Sequence, residues 1–327
     1  MPTDDRLLLL DAASLYFRAF YGVPDQRRSP SEPPTNAVRG FLDMLATLVQ
    51  QHSPTHLVAC WDNDWRPQWR VDLIPSYKAH RVAAPAAAVP VGEVPDQAHP
   101  ATGGLAEAVP NDLEPQVPVI VDVLAALGIA RVGADGYEAD DVIGTLCAAY
   151  RGRMPVDVVT GDRDLFQLVD DAAPVRILYT ARSGVRDAVV VDQAYLRESY
   201  GVRDGAAYLD MSVLRGDTSD GLPGVRGIGE KTAAALITAY GSLERLRAAV
   251  DRGDPAIKGA QRARLEEGRD YLDVAPRVVA VALDAPVPAG ADLRRPASVA
   301  DAALMSRLAS GYGLTNTVNR VLNALGI

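Results

Sequence analysis

"RLLLLDAASLYF", residues 6–17, decides the fold of this 327-residue chain. An unbroken apolar run closed by a polar residue suits a parallel strand covered on both faces, here ending at Asp11. The pattern returns twice: "THLVACWD" (55–62) stops at Asp62, and "VDVVTGDRDL" (156–165) runs into Asp162. Between the first two copies Val38, Phe41, Leu42, Leu45 and Leu48 recur at helical spacing, and Val117, Ile120, Val121, Leu124 and Leu127 form a second stripe. Strands alternating with helices predict an α/β fold, a mostly parallel central sheet flanked by helices. Open sheets of this kind bind ligands in the crevice beyond the carboxyl ends of their strands. Asp11, Asp62 and Asp162 are therefore expected in one neighbourhood, although any single Asp after a strand serves equally as an N-cap or turn residue.

The acidic residues recur in groups. "YEADD" holds Glu138, Asp140 and Asp141, "GDRD" holds Asp162 and Asp164, and "GDTSDG" holds Asp217 and Asp220. With Asp11 and Asp62 they make nine carboxylates. At the first turn of a helix, Glu138, Asp140 and Asp141 gain only about 0.3 to 1 kcal/mol each from the helix dipole. Unpaired buried carboxylates would instead raise their pKa values and take up protons. Hard oxygen donors without His or Cys suit Mg2+ or Mn2+. Nine are too many for one ion, and a pair of ions roughly 3.5 to 4 Å apart, as in phosphodiester hydrolysis, accounts for the number.

Composition narrows the field further. With 48% hydrophobic residues the chain can bury a large core. Its longest early apolar run, "LLLL", is far too short for a membrane span or a secretory signal. Cys60 and Cys147 are expected as buried thiols, and His52, His56, His80 and His99 lack ligand spacing, which argues against a zinc enzyme. The net charge of −9 opposes a nucleic-acid partner unless the acids converge on cations and leave the remaining surface neutral or basic. From Val82 to Ala108 the sequence turns to Ala, Pro, Val and Gly without apolar periodicity, and reads as a mobile loop or disordered insertion.

"GVRGIGEKTAAAL" (224–236) superficially suggests a phosphate loop, but Glu230 separates Gly229 from Lys231, where that loop requires Lys directly after Gly. A helix-hairpin-helix turn fits better: Gly227 and Gly229 permit the bend, free amides at the next helix start face a phosphate, and Lys231 and Thr232 assist. Such a turn grips duplex backbone without reading bases. In "IPSYKAHR" (74–81), Lys78 and Arg81 suit contact with a scissile phosphate and Tyr77 suits stacking on an unpaired base. After Val278, "VVAVAL" reads as a strand, followed by a Pro-rich turn and one last helix around Met305 to Leu325.

Together "SYKAHR", "YEADD", "TGDRDLFQL" and "LRGDTSDGLPGVRGIGEKTA" resemble, in order and spacing, the 5′ nuclease family: bacterial and phage 5′-3′ exonucleases, the amino-terminal nuclease domain of DNA polymerase I, and flap endonucleases. The resemblance spans roughly Leu7 to Leu283. It implies a PIN-like 5′ nuclease core over residues 1–200 with an arch or flexible insertion at 76–115, a helix-three-turn-helix DNA-binding module over 201–290, and a C-terminal helical tail at 291–327 packed on the core. It implies that Asp11, Asp62, Glu138, Asp140, Asp141, Asp162, Asp164, Asp217 and Asp220 bind two or more Mg2+ or Mn2+ ions. Lys78, Arg81 and Arg18 would then act on the phosphate, and Tyr77 would stack on a base. Gly224, Gly227, Gly229, Lys231 and Thr232 would hold duplex DNA with a K+ ion. The implied activity is two-metal-ion hydrolysis of DNA and RNA primers, as 5′-3′ exonuclease and 5′-flap endonuclease, in replication and repair. A PIN-like ribonuclease, a non-catalytic DNA structure-binding protein and a magnesium-dependent phosphatase are the alternatives. The expected protein is a cytoplasmic, nucleoid-associated monomer without a membrane partner, and no sliding-clamp peptide is recognised. It departs from the family pattern in "DAAS" after the first strand, in "SDG" where "SDN" is commoner, and in its Pro-rich insertion.

Overall fold

The computed structural model describes residues 5–29, 31–82, 107 and 109–327; most of the Val82–Ala108 insertion lies outside them. Its centre is a six-stranded sheet in the order β3-β2-β1-β4-β5-β6. The strands are β1 (Leu7–Asp11), β2 (His56–Trp61), β3 (Ala130–Gly133), β4 (Val156–Thr160), β5 (Val175–Tyr179) and β6 (Val189–Val191). All neighbouring pairs are parallel except β5 with β6. The mostly parallel sheet expected from the three apolar runs is present.

The run of four leucines explains the layering. Successive strand residues point to opposite faces, so Leu7 and Leu9 enter one apolar cluster while Leu8 and Leu10 enter another. All four are fully buried. The face of Leu8 and Leu10 is covered by α1 (Ala12–Gly22), α2 (Asn36–His52) and α4 (Gln116–Leu127), joined by two C-terminal helices. The face of Leu7 and Leu9 is covered by α5 (Ala139–Tyr150) and the helical second half of the chain. The short α3 (Gln68–Leu73) packs on this same side.

The second half comprises α6 (Gln193–Tyr200), α7 (Gly205–Arg215), α8 (Glu230–Tyr240), α9 (Leu243–Asp251), α10 (Gly259–Glu267) and α11 (Arg269–Val279). Two expectations for the tail are corrected. "VVAVAL" is the end of α11 and the loop after it, because Val278 and Val281 bury their side chains without joining the sheet. The single last helix is two, α12 (Ala302–Gly311) and α13 (Thr315–Leu325), divided at Gly313, which has φ 64°. In α4 the buried stripe is Val119, Ile120, Val123, Leu124 and Leu127, while Val117 and Val121 are only half-buried. Among the described residues no helix is long and apolar enough to cross a membrane.

Strand order reverses direction at β1, with β2 on one side and β4 on the other. This is the topological switch point, where the loops leaving β1 and β4 diverge and open a crevice. Asp11 ends β1 and Asp162 follows β4.

Candidate active site

Asp11 unites the two readings that its position allowed. It caps α1 by accepting the Ser14 amide at 3.1 Å, and its other oxygen accepts the Thr160 hydroxyl at 2.7 Å, joining β1 to β4. Asp62 accepts the Ala139 amide at 2.7 Å and so ties the end of β2 to the first turn of α5. The Asp164 amide donates to Asp162 Oδ1 at 2.8 Å, folding "GDRD" into a turn that keeps both acids together. These residues face a cavity of about 550 Å3, lined also by Glu138, Asp140, Asp217, Asp220, Lys78 and Arg81. Eight of the nine expected carboxylates therefore meet in one cleft at the carboxyl edge of the sheet.

Electrostatics record the crowding. Burial, opposed by the Thr160 hydroxyl and reinforced by Asp62 and Asp162, pushes the Asp11 carboxyl up to about 7. Burial likewise raises Asp62 to about 6, with Glu138 and Asp141 adding to the effect. Asp140 and Asp164 are driven well above the usual range, first by burial and then by neighbouring acids, Asp162 foremost. Cations intervene at three of the acids. Lys78 Nζ donates to Glu138 Oε2 at 2.7 Å, Arg81 to Asp220 at 2.6 Å and Arg163 to Asp217 at 3.0 Å. Burial pushes Asp217 upward, but hydrogen bonds from Ser219 and Arg163 outweigh it and hold this carboxyl below its ordinary value.

Three of the expected site residues do not line this cavity. Asp141 is fully buried and lies outside the cavity lining. Consecutive helix residues are about 100° apart, so Asp140 points into the cleft while Asp141 points into the protein. There both its oxygens are taken by the guanidinium of Arg70 at 2.6 and 2.7 Å. Tyr77 is only 4% exposed, and its hydroxyl donates to Glu138 Oε1 at 2.7 Å, so its ring belongs to the core and is not a stacking platform. Arg18 also lies outside the cavity lining, half-buried, with Nη2 3.7 Å from the position a Cβ on Gly184 would take. Sequence reasoning missed Glu107, which lines the cavity from within the insertion and carried no signal, and it missed two arginines, Arg70 and Arg163. The first was signalled by the need of an inward-facing acid for a partner, the second by its place between the two acids of "GDRD".

The segment carrying Lys78 is fixed by backbone contact. Lys78 has left-handed dihedrals (φ 48°), its amide donates to Asp220 O at 2.9 Å, and Ser76 Oγ donates to Gly221 O at 2.7 Å. Gly221 has φ 70°, and a Cβ there would lie 2.0 Å from Ser76 O. The approach leaves no room for a side chain, which explains "SDG" in this chain. Beyond it the glycine hairpin turns as its composition requires. Gly224 (φ 63°) packs against Arg215 O, Gly227 (φ 74°) follows, and Gly229 caps α8. Lys231 and Thr232 stand on the first turn of α8, the former exposed.

Two family models match: the 5′-3′ exonuclease N-terminal resolvase-like domain over residues 6–201 and the 5′-3′ exonuclease C-terminal SAM fold over residues 204–300. The chain belongs to the 5′-3′ exonuclease family. It is 56% identical over 319 residues to a 5′-3′ exonuclease of Streptomyces coelicolor, covering 97% of this chain and 99% of that protein. A 5′-3′ exonuclease of Mycobacterium tuberculosis is 48% identical over 324 residues, with 98% and 97% covered. The fold is similar to the phage T5 5′-exonuclease solved with divalent zinc ions, at 15% identity and a TM-score of 0.60 over 98% of this chain and 99% of that one. It is also similar to the catalytic core of Rad2 in complex with a DNA substrate, at 16% identity and a TM-score of 0.57 over 98% and 92%.

Proposed function

We propose that the cleft hydrolyses nucleic-acid phosphodiesters at or near a 5′ end, as an exonuclease and, where single strand meets duplex, as a flap endonuclease serving primer removal and repair. One observation carries this reading: eight of the expected carboxylates, joined by Glu107, face a single cavity beside Lys78 and Arg81, in a chain of the 5′-3′ exonuclease family. Among the described residues no three His, Cys, Asp or Glu side chains close into a ready-made metal cage, so the acids frame an open cleft. Their chemistry nonetheless fits divalent cations, because the donors are all oxygens and burial and mutual repulsion disfavour the charged form of several of them when no cation is near. Asp11, Asp62, Asp140, Asp162 and Asp164 would hold the ions, with Glu138, Asp217 and Asp220 at their flank. Mg2+ or Mn2+ bound there would supply Lewis-acid activation of a water and neutralise charge on the phosphate.

The chain's own residues do the rest. Lys78, fixed at the cavity wall, and Arg81, which is half-exposed and can turn from Asp220, offer donors to phosphate oxygens. The amides at the start of α8, with Lys231 and Thr232, suit a duplex phosphate backbone, and the carbonyls of the hairpin suit a K+ ion. In this reading residues 1–200 form the nuclease core, 201–290 grip the duplex, and 291–327 brace the core. The similarly folded T5 5′-exonuclease, solved with divalent ions, and Rad2 core, solved with a DNA substrate, support the assignment.

Incubating a 5′-labelled flap DNA with the protein in EDTA, Mg2+ or Mn2+ tests it. Short 5′ products are expected with either ion and none in EDTA, and Asp162→Asn should abolish them while leaving DNA binding measurable. Full cleavage by that variant, or preference for single-stranded RNA over the flap, would overturn the reading.

A further inference from the structure

We propose that Arg70 is a positioning residue, and that its buried fork on Asp141 aims Glu138 and Asp140 into the cleft. The proposal rests on the nuclease reading of that cleft and gives Asp141 a different task from its acidic neighbours. Arg70 is 2% exposed and Asp141 is not exposed at all. Arg70 Nη1 and Nη2 donate to the two Asp141 oxygens, and the geometry is that of a bidentate pair, which fixes orientation as well as distance. Asp141 in turn accepts the Glu138 amide at 3.1 Å, closing the capping box that starts α5, and the Ala282 amide at 2.7 Å.

The remaining donors of Arg70 reach the segment after α11: Nε to Val278 O at 3.0 Å and Nη2 to Ala280 O at 3.2 Å. Its Nη1 stands 3.6 Å from Glu138 Oε1, and Trp69 stacks on the guanidinium at 4.4 Å. One side chain on α3 thus joins the acidic helix to the end of the helical half of the chain. With Asp141 locked inward, helix geometry turns Asp140 outward, and the capping box sets where Glu138 meets Lys78 and Tyr77. A lysine at position 70 would preserve the charge and lose the fork.

Two variants separate this role from metal ligation and from mere stability. Arg70→Lys keeps the charge, whereas the double variant Arg70→Met with Asp141→Leu removes the pair without leaving a buried charge. Each should fold, judged by near-ultraviolet circular dichroism. In steady-state cleavage of flap DNA, kcat should fall about 100-fold in both, the scale of a misplaced catalytic group, with KM within about twofold. Titrating EDTA-stripped protein with Mn2+ alone should show the wild-type number of ions in both variants, at several-fold lower affinity. Wild-type kcat in either folded variant would overturn the proposal, and so would an ion lost in the double variant, which would make Asp141 a ligand. If the wild-type protein cleaves no DNA, the nuclease reading fails separately. The clamp is then judged by Mn2+ affinity in Arg70→Lys, where an unchanged value refutes it and a drop supports it.

Discussion

The Tyr77 hydroxyl donates to Glu138 Oε1 from a position where only 4% of the residue is exposed, and Lys78 holds the other oxygen. Removing the hydroxyl with Tyr77→Phe leaves part of a buried carboxylate unsatisfied, which costs about 1 to 3 kcal/mol. We expect a lower Tm and a reduced kcat for this variant, with unchanged affinity for a single-stranded DNA tail in fluorescence anisotropy. A tenfold loss of that affinity with Tm intact would restore the ring to a stacking role. The motif "SYK" made Tyr77 look available to a ligand because residue type and neighbours along the chain say nothing about which face is covered. Burial was decided by Glu138, sixty-one positions away, and by the packing of Ile74 beside it.

At the scale of elements, the strands legible in the sequence were those buried on both faces, where "LLLL", "HLVACW" and "VDVVT" leave little ambiguity. The four-residue β3 and three-residue β6 are too short to show a period, and β5 interrupts its apolar run with Arg176, which pairs with buried Asp157. Eight of the site carboxylates were legible because they sit at strand ends, in short turns or at the start of α5. Asp141 belongs to the same sequence cluster, but one helix residue further on it turns inward onto Arg70, which sequence adjacency does not show. "VVAVAL" misled in the opposite sense: β-branched residues favour strands, but here Gln167 and Arg70 capture the backbone of residues 278–281. The docking of residues 76–78 on residues 220–221 gives a prediction of its own. Gly221→Asn must place a Cβ where Ser76 O already lies. This should destabilise the chain by about 1 to 3 kcal/mol through overpacking and lower kcat by displacing Lys78. Thermal melting and single-turnover cleavage would measure both, and a variant with unchanged Tm and rate would show that the two segments part freely.

For the whole molecule, the concentration of acids at one edge sets how stability responds to pH. Asp11 and Asp62 are raised from 3.8 to about 7 and about 6, first by burial and then by neighbouring acids, Asp62 and Asp162 for the former, Glu138 and Asp141 for the latter. Between pH 4 and 7 the folded chain therefore binds more protons at these groups than the unfolded chain does, so their contribution to stability falls as pH rises. Below about pH 4 both states are protonated and the two groups contribute no slope. Asp140 and Asp164 shift in the same direction. Asp292, held at about 2 by Arg294, titrates below the window, and His52, lowered by burial, opposes the trend as a single imidazole. The net effect is on the order of a few kcal/mol. In EDTA, Tm should decline from pH 5 to pH 8. Adding Mn2+ should restore it, and by more at pH 8 than at pH 5, because cations compete with protons for the same oxygens. Differential scanning calorimetry at the two pH values decides the matter: a Tm that climbs with pH in EDTA, or a Mn2+ shift equal at both, would mean that the acids do not share one desolvated cleft.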